Sequence, residues 1–122
     1  MNQGQQSYHT GLAAEDIALR SYLSEGATLL AQRWRCPEGE IDLIVRLRGE
    51  SEIVFVEVKA RRTRDAAAAA PQPAQWHRIG QAAMRFLGER GLDHLPCRFD
   101  LVVVDRMGRA NRIENAATFD GW

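Results

Sequence analysis

Along EIVFVEVKARR (52–62), Val54, Val56 and Val58 alternate with Phe55, Glu57 and Lys59. A period of two in β-branched residues predicts a strand with one all-Val face. The opposite face starts with Phe55 and then carries a carboxylate and an ammonium. Just upstream, EIDLIVRLR (40–48) alternates in the same way, with Ile41, Leu43, Val45 and Leu47 on one face. Gly49 and Glu50 make a tight connection, so the two segments predict a β-hairpin. ATLLAQRW (27–34) is an earlier strand, separated from the hairpin by the turn CPEG. The apolar run in RFDLVVVD (98–105) predicts a fourth, central strand. RIENA (112–116) reads as a short edge strand.

Two stretches change to a helical period. Thr10 or Gly11 caps a first helix running to about Glu25 and ended by Gly26. A second spans about 74–90 and ends at Gly91, with Ile79, Ala82, Ala83, Phe86 and Leu87 as its apolar face. Between them DAAAAAPQPAQ (65–75) reads as a flexible loop, because Pro71 and Pro73 interrupt the Ala run. Residues 1–9 are polar and read as a mobile tail, leaving 10–122 as the folded part. The order α-β-β-β-α-β predicts an α/β chain with one mixed sheet flanked by helices.

Composition narrows the class. At 122 residues the chain fits one domain, and a chain of this size buries roughly two thirds of its unfolded surface without staples. It has no apolar run long enough to span a bilayer and no apolar segment near the N-terminus to read as a signal. The expectation is a cytoplasmic protein without membrane attachment. Cys36 and Cys97 are far apart and read as reduced, buried thiols. His9, His77 and His94 show no ligand spacing. The formal net charge is zero, which argues against strong whole-molecule attraction to nucleic acid. The charge is uneven, however. KARRTR (59–64) is a dense basic run directly after the third strand, and Arg33 and Arg35 add two more cations.

Three polar oddities interrupt the apolar pattern. Glu57 and Lys59 share a strand face. Glu40 and Asp42 share the polar face of the preceding strand and sit beside Glu57 if the strands pair. Glu15 lies near the middle of the first helix's apolar arc, formed by Ala14, Ala18, Leu19, Tyr22 and Leu23. Two carboxylates about 4 Å apart repel by roughly 4 kcal/mol at an effective dielectric near 20, about three pK units. Such a cluster either takes up protons or recruits a cation, and hard oxygen ligands suit Mg²⁺ or Mn²⁺. Lys59 beside it is placed to orient a water or to balance phosphate charge. An Asp, a Glu-x-Lys and acids on adjacent strands meet the needs of metal-assisted phosphodiester hydrolysis. Each feature also has a plainer origin. Glu57 with Lys59 alone is a charged surface strand, Glu40 in GEID a turn residue, Glu15 a snorkelling core-edge acid, and Asp100 a strand-start residue. Together the first three favour a site, with Glu40 as a candidate ligand and Asp100 left out.

The runs GLAAEDIALRSYLSEG, RWRCPEGEIDLIV, VFVEVKARR, RFDLVVV and RIENA, in this order, resemble the YraN family of small bacterial proteins. GEIDLI and FVEVKAR are the specific blocks. The resemblance covers nearly the whole chain after Thr10. It implies a restriction endonuclease-like fold, similar to Holliday-junction resolvases, with a nuclease-like domain over 10–122. It also implies Asp42, Glu57 and Lys59 as a PD-(D/E)xK nuclease core, Glu15 as the helix acid, and a metal held partly by the Val58 carbonyl. The loop after the EVK strand departs from the family pattern. Gln75 stands about where a Lys is expected, which bears on substrate grip more than on metal binding.

The reading that follows is a Mg²⁺- or Mn²⁺-dependent nuclease-like enzyme acting on DNA, branched or damaged. Asp42 and Glu57 would hold the metal, Lys59 would place the water and Glu15 would complete the acid cluster. Lys59, Arg61, Arg62 and Arg64 would meet phosphates. A two-fold homodimer fits resolvase-like folds, because a symmetric junction presents two equivalent strands. The alternative is a non-catalytic nucleic-acid-binding or assembly module that retains the fold.

Overall fold

The computed structural model describes residues 3–119, with side chains from Thr10 onward except that of Glu50. The alternating segments form β1 (Thr28–Cys36), β2 (Gly39–Arg46), β3 (Ile53–Ala60), β4 (Cys97–Val104) and β5 (Ala110–Ala117). They make one sheet in the order β1-β2-β3-β4-β5. β3 and β4 run parallel and the other neighbours antiparallel. Helix α1 (Gln3–Ser24) packs on one face; α2 (Ala66–Ala69) and α3 (Pro73–Arg90) pack on the other. The chain is α/β with a mixed sheet flanked by helices, as a restriction endonuclease-like fold requires.

Several elements differ from expectation, each for a local reason. α1 starts at Gln3, so the backbone of residues 3–9 is helical; Met1 and Asn2 lie outside the described residues. That stretch has no Pro and no β-branched residue to stop a helix. The Ala run is ordered as α2, because the Asp65 carboxylate accepts the N–H groups of Ala67 and Ala68 as an N-cap. Ala69 is then buried against Leu101 and Val103. Pro73 opens α3, where its missing N–H is no loss. The middle strand is β3, while β4 lies one place from the edge. β5 is longer than the expected segment. Cys36 and Cys97 are unpaired, as expected, but only half-buried. Among the described residues no helix is long and apolar enough to cross a membrane.

The strand parity sorts the core into two layers. Leu43, Val45, Val54, Val56, Val102 and Val104 meet Ala14, Ala18 and Tyr22 of α1. Ile44, Ile53, Phe55 and Phe99 meet Ile79, Ala82, Ala83 and Phe86 of α3. Phe55 stacks on Phe99 at 5.3 Å between ring centroids, and Phe86 meets Phe55 edge-on. The small Ala14 and Ala18 let α1 lie close to the sheet. α1 ends at Gly26, whose φ of 89° suits glycine; the Arg48 stem occupies the space where a side chain would begin.

That close approach puts the Tyr22 hydroxyl 2.7 Å from Asp100, which is fully buried on β4. The Asp100 carboxylate also accepts two N–H groups of Arg98, at 3.0 and 3.1 Å, and the Asn115 amide at 3.0 Å. Asp100 is therefore an internal tie joining α1, β4 and β5, beyond the strand-start role expected of it. Hydrogen bonds to charged groups contribute roughly 1.5–3 kcal/mol, and removing one partner of a buried ion pair costs roughly 3–5 kcal/mol. Tyr22→Phe should then lower stability by about 1.5–3 kcal/mol and Asp100→Ala by about 3–5 kcal/mol in urea titrations. Losses under about 0.5 kcal/mol in both would show that the tie carries little of the fold.

Candidate active site

The site forms where the sheet's regularity fails. The β2–β3 ladder runs from Arg46↔Ile53 to Leu43↔Val56 and stops there. At the next step the Val58 N–H donates to the Asp42 side chain (Oδ2, 2.7 Å). On the other side of β2, the register holds from Gln32↔Leu43 to Trp34↔Ile41, but the step between them, Arg33 opposite Asp42, is unpaired, and Arg33 has φ 45°. A non-glycine residue in that region costs roughly 1–3 kcal/mol and needs surrounding structure to hold it. Alternation breaks at the same place: Leu43 packs towards α1, but Ile41 packs in the α3 layer. The expectation that Ile41, Leu43, Val45 and Leu47 share a face therefore fails at Ile41. The β2–β3 pairing stops short of both acids, so Asp42 comes beside Glu57 through its side chain, while Glu40 pairs with Arg35 instead.

Glu57 follows Phe55 on the α3 face of β3 and is only 7% exposed. The Asp42 carboxyl lies beside it. Burial first, then the Asp42 hydrogen bond and charge, push its pKa up to about 9. The Lys59 ammonium and the Val58 amide oppose that rise without cancelling it. Gln75, in the first turn of α3, donates from Nε2 to Glu57 Oε2 at 3.0 Å. Asp42, Gln75 and the Lys59 charge thus surround the Glu57 carboxyl. In the sequence Gln75 stands out only as a departure in the loop, and nothing in its pattern points to its partner.

Glu15 is turned towards the sheet. Its side chain is 15% exposed and pairs with Arg33 at 3.0 Å. Burial and the nearby Asp42 carboxylate raise its pKa, against the pull of Arg33. Arg33 was the residue hardest to foresee, since no sequence signal marks its left-handed backbone. Glu40 is held apart: it pairs across the strands with Arg35 at 3.5 Å. It also lines a cavity of about 170 Å³ with Gly39, Gln75 and Arg78. Among the described residues no three acidic, His or Cys side chains gather as a ready-made metal cluster. Arg33 and Arg35, expected to extend the basic patch, are instead matched to Glu15 and Glu40. Arg61 and Arg62 are exposed and turn to the α1 side of the sheet, where they line a cavity of about 520 Å³. Arg64 lies 3.8 Å from Asp105.

The raised Glu57 pKa has a consequence for stability. Below about pH 4.5 Glu57 is protonated in both folded and unfolded chains. As pH rises towards 9, the unfolded chain has released that proton while the folded chain still holds it. The folded state binds more protons in this window, so stability falls with pH. Glu57→Gln keeps a donor towards Asp42 and removes the titration. In EDTA, its Tm should gain on the unaltered protein progressively between pH 5 and 9. Parallel Tm–pH curves would show that folding does not raise the Glu57 pKa.

The family model described as "Uncharacterised protein family UPF0102" matches residues 14–104, a span that includes Glu15, Asp42, Glu57, Lys59 and Gln75. A UPF0102 protein of Ruegeria sp. (strain TM1040) is 49% identical over 115 residues, covering 93% of this chain and 91% of the relative. One of Cereibacter sphaeroides (strain KD131) is 44% identical over 114 residues, covering 93% and 96%. One of Neisseria meningitidis serogroup C is 38% identical over 111 residues, covering 89% and 95%. Similarity thus runs through the whole fold and the cleft, and the chain belongs to the UPF0102 family, the YraN family that its GEIDLI and FVEVKAR blocks resemble.

Proposed function

We propose that the Asp42–Glu57–Lys59 cleft is a metal-dependent phosphodiesterase centre acting on DNA. The observation that carries this is the buried Glu57 carboxyl beside an Asp42 carboxylate fixed by the Val58 amide, at the point where the β2–β3 ladder ends. The Asp42 carboxylate, fixed by the Val58 amide, and the buried Glu57 carboxyl beside it form a hard oxygen donor set that fits Mg²⁺ or Mn²⁺, with the Val58 carbonyl as the further donor expected of the family. When bound, such a cation supplies Lewis-acid charge at a phosphoryl oxygen.

The chain's own groups do the rest. Asp42 is fixed by the Val58 amide, so its second oxygen has a set direction. Glu57 is fixed by Gln75. Lys59, two residues on, places a positive charge beside the acids, where it orients the attacking water or balances the scissile phosphate. Glu15, steadied by Arg33, adds negative charge near Asp42 and strengthens cation binding. Arg61, Arg62 and Arg64 supply phosphate contacts and hence salt-dependent binding.

A second reading has its own support. Glu15 and Glu40 are matched to arginines, and the net charge is zero. These features favour a DNA-binding or assembly module that retains the fold without catalysis. Calorimetry with Mn²⁺ separates the two: the enzyme reading expects binding that Asp42→Ala abolishes. Glu15→Gln should weaken Mn²⁺ affinity about tenfold with Tm equal or higher, since it relieves like-charge repulsion. Unchanged affinity would reduce Glu15 to a core-edge residue.

Cleavage is the direct test. Labelled linear, flapped and four-way DNAs should be cut in Mn²⁺ by the unaltered protein. Lys59→Ala should lose cleavage and keep DNA binding, with the salt slope lowered by about one unit at most. Equal cutting by Lys59→Ala at saturating Mn²⁺ would remove Lys59 from the mechanism. No cutting of any DNA by the unaltered protein would favour the module.

A further inference from the structure

The groove of about 520 Å³ between α1 and the carboxyl ends of β3 and β4 has no part in the cleft described above. Its floor is apolar: Ala13, Ala14, Ile17, Ala60 and Val104. Its rim is cationic: Arg61, Arg62 and Arg106. The one acid lining it among the described residues, Asp105, is already committed. Its carboxylate accepts the Met107 and Arg109 amides and the Arg109 guanidinium, each at 2.9 Å.

Those same bonds stiffen the β4–β5 turn. Gly108, at φ 80°, seats the turn against Ile17 of α1. Met107 is 78% exposed, held out between the groove-lining residues Arg106 and Gly108. An apolar side chain on a stiff, arginine-flanked turn is the kind of wedge that separates stacked bases.

We propose that this groove takes an unpaired nucleotide of a DNA strand, with Met107 standing at the end of the adjoining duplex. The charge complementarity argues for this occupant. The ligand must present a flat apolar body to the floor and an anionic group to three guanidinium groups, and a nucleotide does both. The size is that of a small-ligand site and excludes a duplex. The position, at the carboxyl ends of a parallel strand pair, is where open α/β sheets bind ligands. The inference rests on the nucleic-acid part of the function proposed above and on no metal or cleavage step.

The test is fluorescence anisotropy in EDTA with the full chain and three labelled DNAs. One is a blunt duplex, one the same duplex with a short single-stranded flap, and one carries an abasic flap. The two flaps have the same phosphates and differ only in bases. The base-bearing flap should bind about tenfold tighter than the abasic flap, as expected for stacking of roughly one base. Ala13 is exposed on α1, so Ala13→Trp fills the groove without disturbing the core. That variant should bring the two flaps within twofold of each other and leave blunt-duplex affinity unchanged. Met107→Ala, at an exposed tip, should reduce the preference about threefold.

Equal affinity for both flaps in the unaltered protein, with duplex binding intact, would overturn this inference and leave the proposed function standing. Binding of no DNA at all would overturn both. A base preference without metal-dependent cleavage would uphold the groove and count against the nuclease. Binding to phosphatidylglycerol vesicles that Ala13→Trp abolishes, with no base preference, would assign the groove to a lipid and overturn the proposal.

Discussion

The Val58 amide donates to the Asp42 carboxylate where the ladder would offer a β2 backbone carbonyl. Much of the site depends on that exchange. A buried amide needs a partner, so accepting a side chain in place of a strand carbonyl lets β2 leave β3 without an unsatisfied donor. The separation frees Ile41 to join the α3 layer. It opens room for Glu57 beside Asp42, and it leaves Arg33 in a left-handed conformation opposite the break. One hydrogen bond thereby couples backbone topology to the position of two carboxyls. The same bond fixes the Asp42 rotamer, which a site built on a loop would leave loose.

The charge arrangement explains how a neutral chain sustains a site of this kind. Many of the acids and arginines are matched locally: Glu15 with Arg33, Glu40 with Arg35, Glu38 with Arg85, and Glu25 with Arg112. Exposed pairs of this sort contribute little to stability, but they cancel long-range fields. What remains uneven is local. Glu57, with a raised pKa, sits in a cleft on one face, while Arg61, Arg62 and Arg106 rim a groove on the other. A whole-chain charge of zero is a sum over these regions and says little about either.

The alternation of Val54, Val56 and Val58 with Phe55, Glu57 and Lys59 was legible because β3 is regular and both its faces are covered. The polar pair stood out against that apolar ground. The Glu15 anomaly was legible for the same reason on α1. Ile41 was misread because a period of two assumes an unbroken ladder, and only the Val58–Asp42 bond breaks it. The arginines were misread because a charge run shows composition and not partners; Arg33 and Glu15 are separated by a helix end and a turn. Asp100 looked like a strand-start residue because Tyr22, Arg98 and Asn115, which satisfy it, come from three different segments. The Ala run concealed a helix because its cap, Asp65, precedes it and the two prolines beyond drew attention to the break. The groove could not be read at all from the sequence, since its floor joins α1 to strand ends that are distant along the chain.

The cleft and the groove lie on opposite faces of the sheet but at the same end of β3, and they share one segment. Lys59 faces the cleft, Ala60 lies on the groove floor, and Arg61 and Arg62 form the rim. Strand alternation puts Lys59 and Ala60 on opposite faces, and because β3 ends at Ala60, Arg61 and Arg62 can both reach the groove. A backbone that bends around the end of β3 can therefore meet both features without any movement of the protein. The tie between Tyr22 and Asp100 then acquires a role beyond stability. It fixes α1 against β4, and α1 carries both Glu15, near the cleft, and Ile17, beneath the β4–β5 turn. A helix held that firmly keeps the two surfaces in register, which a rigid sheet alone would not do.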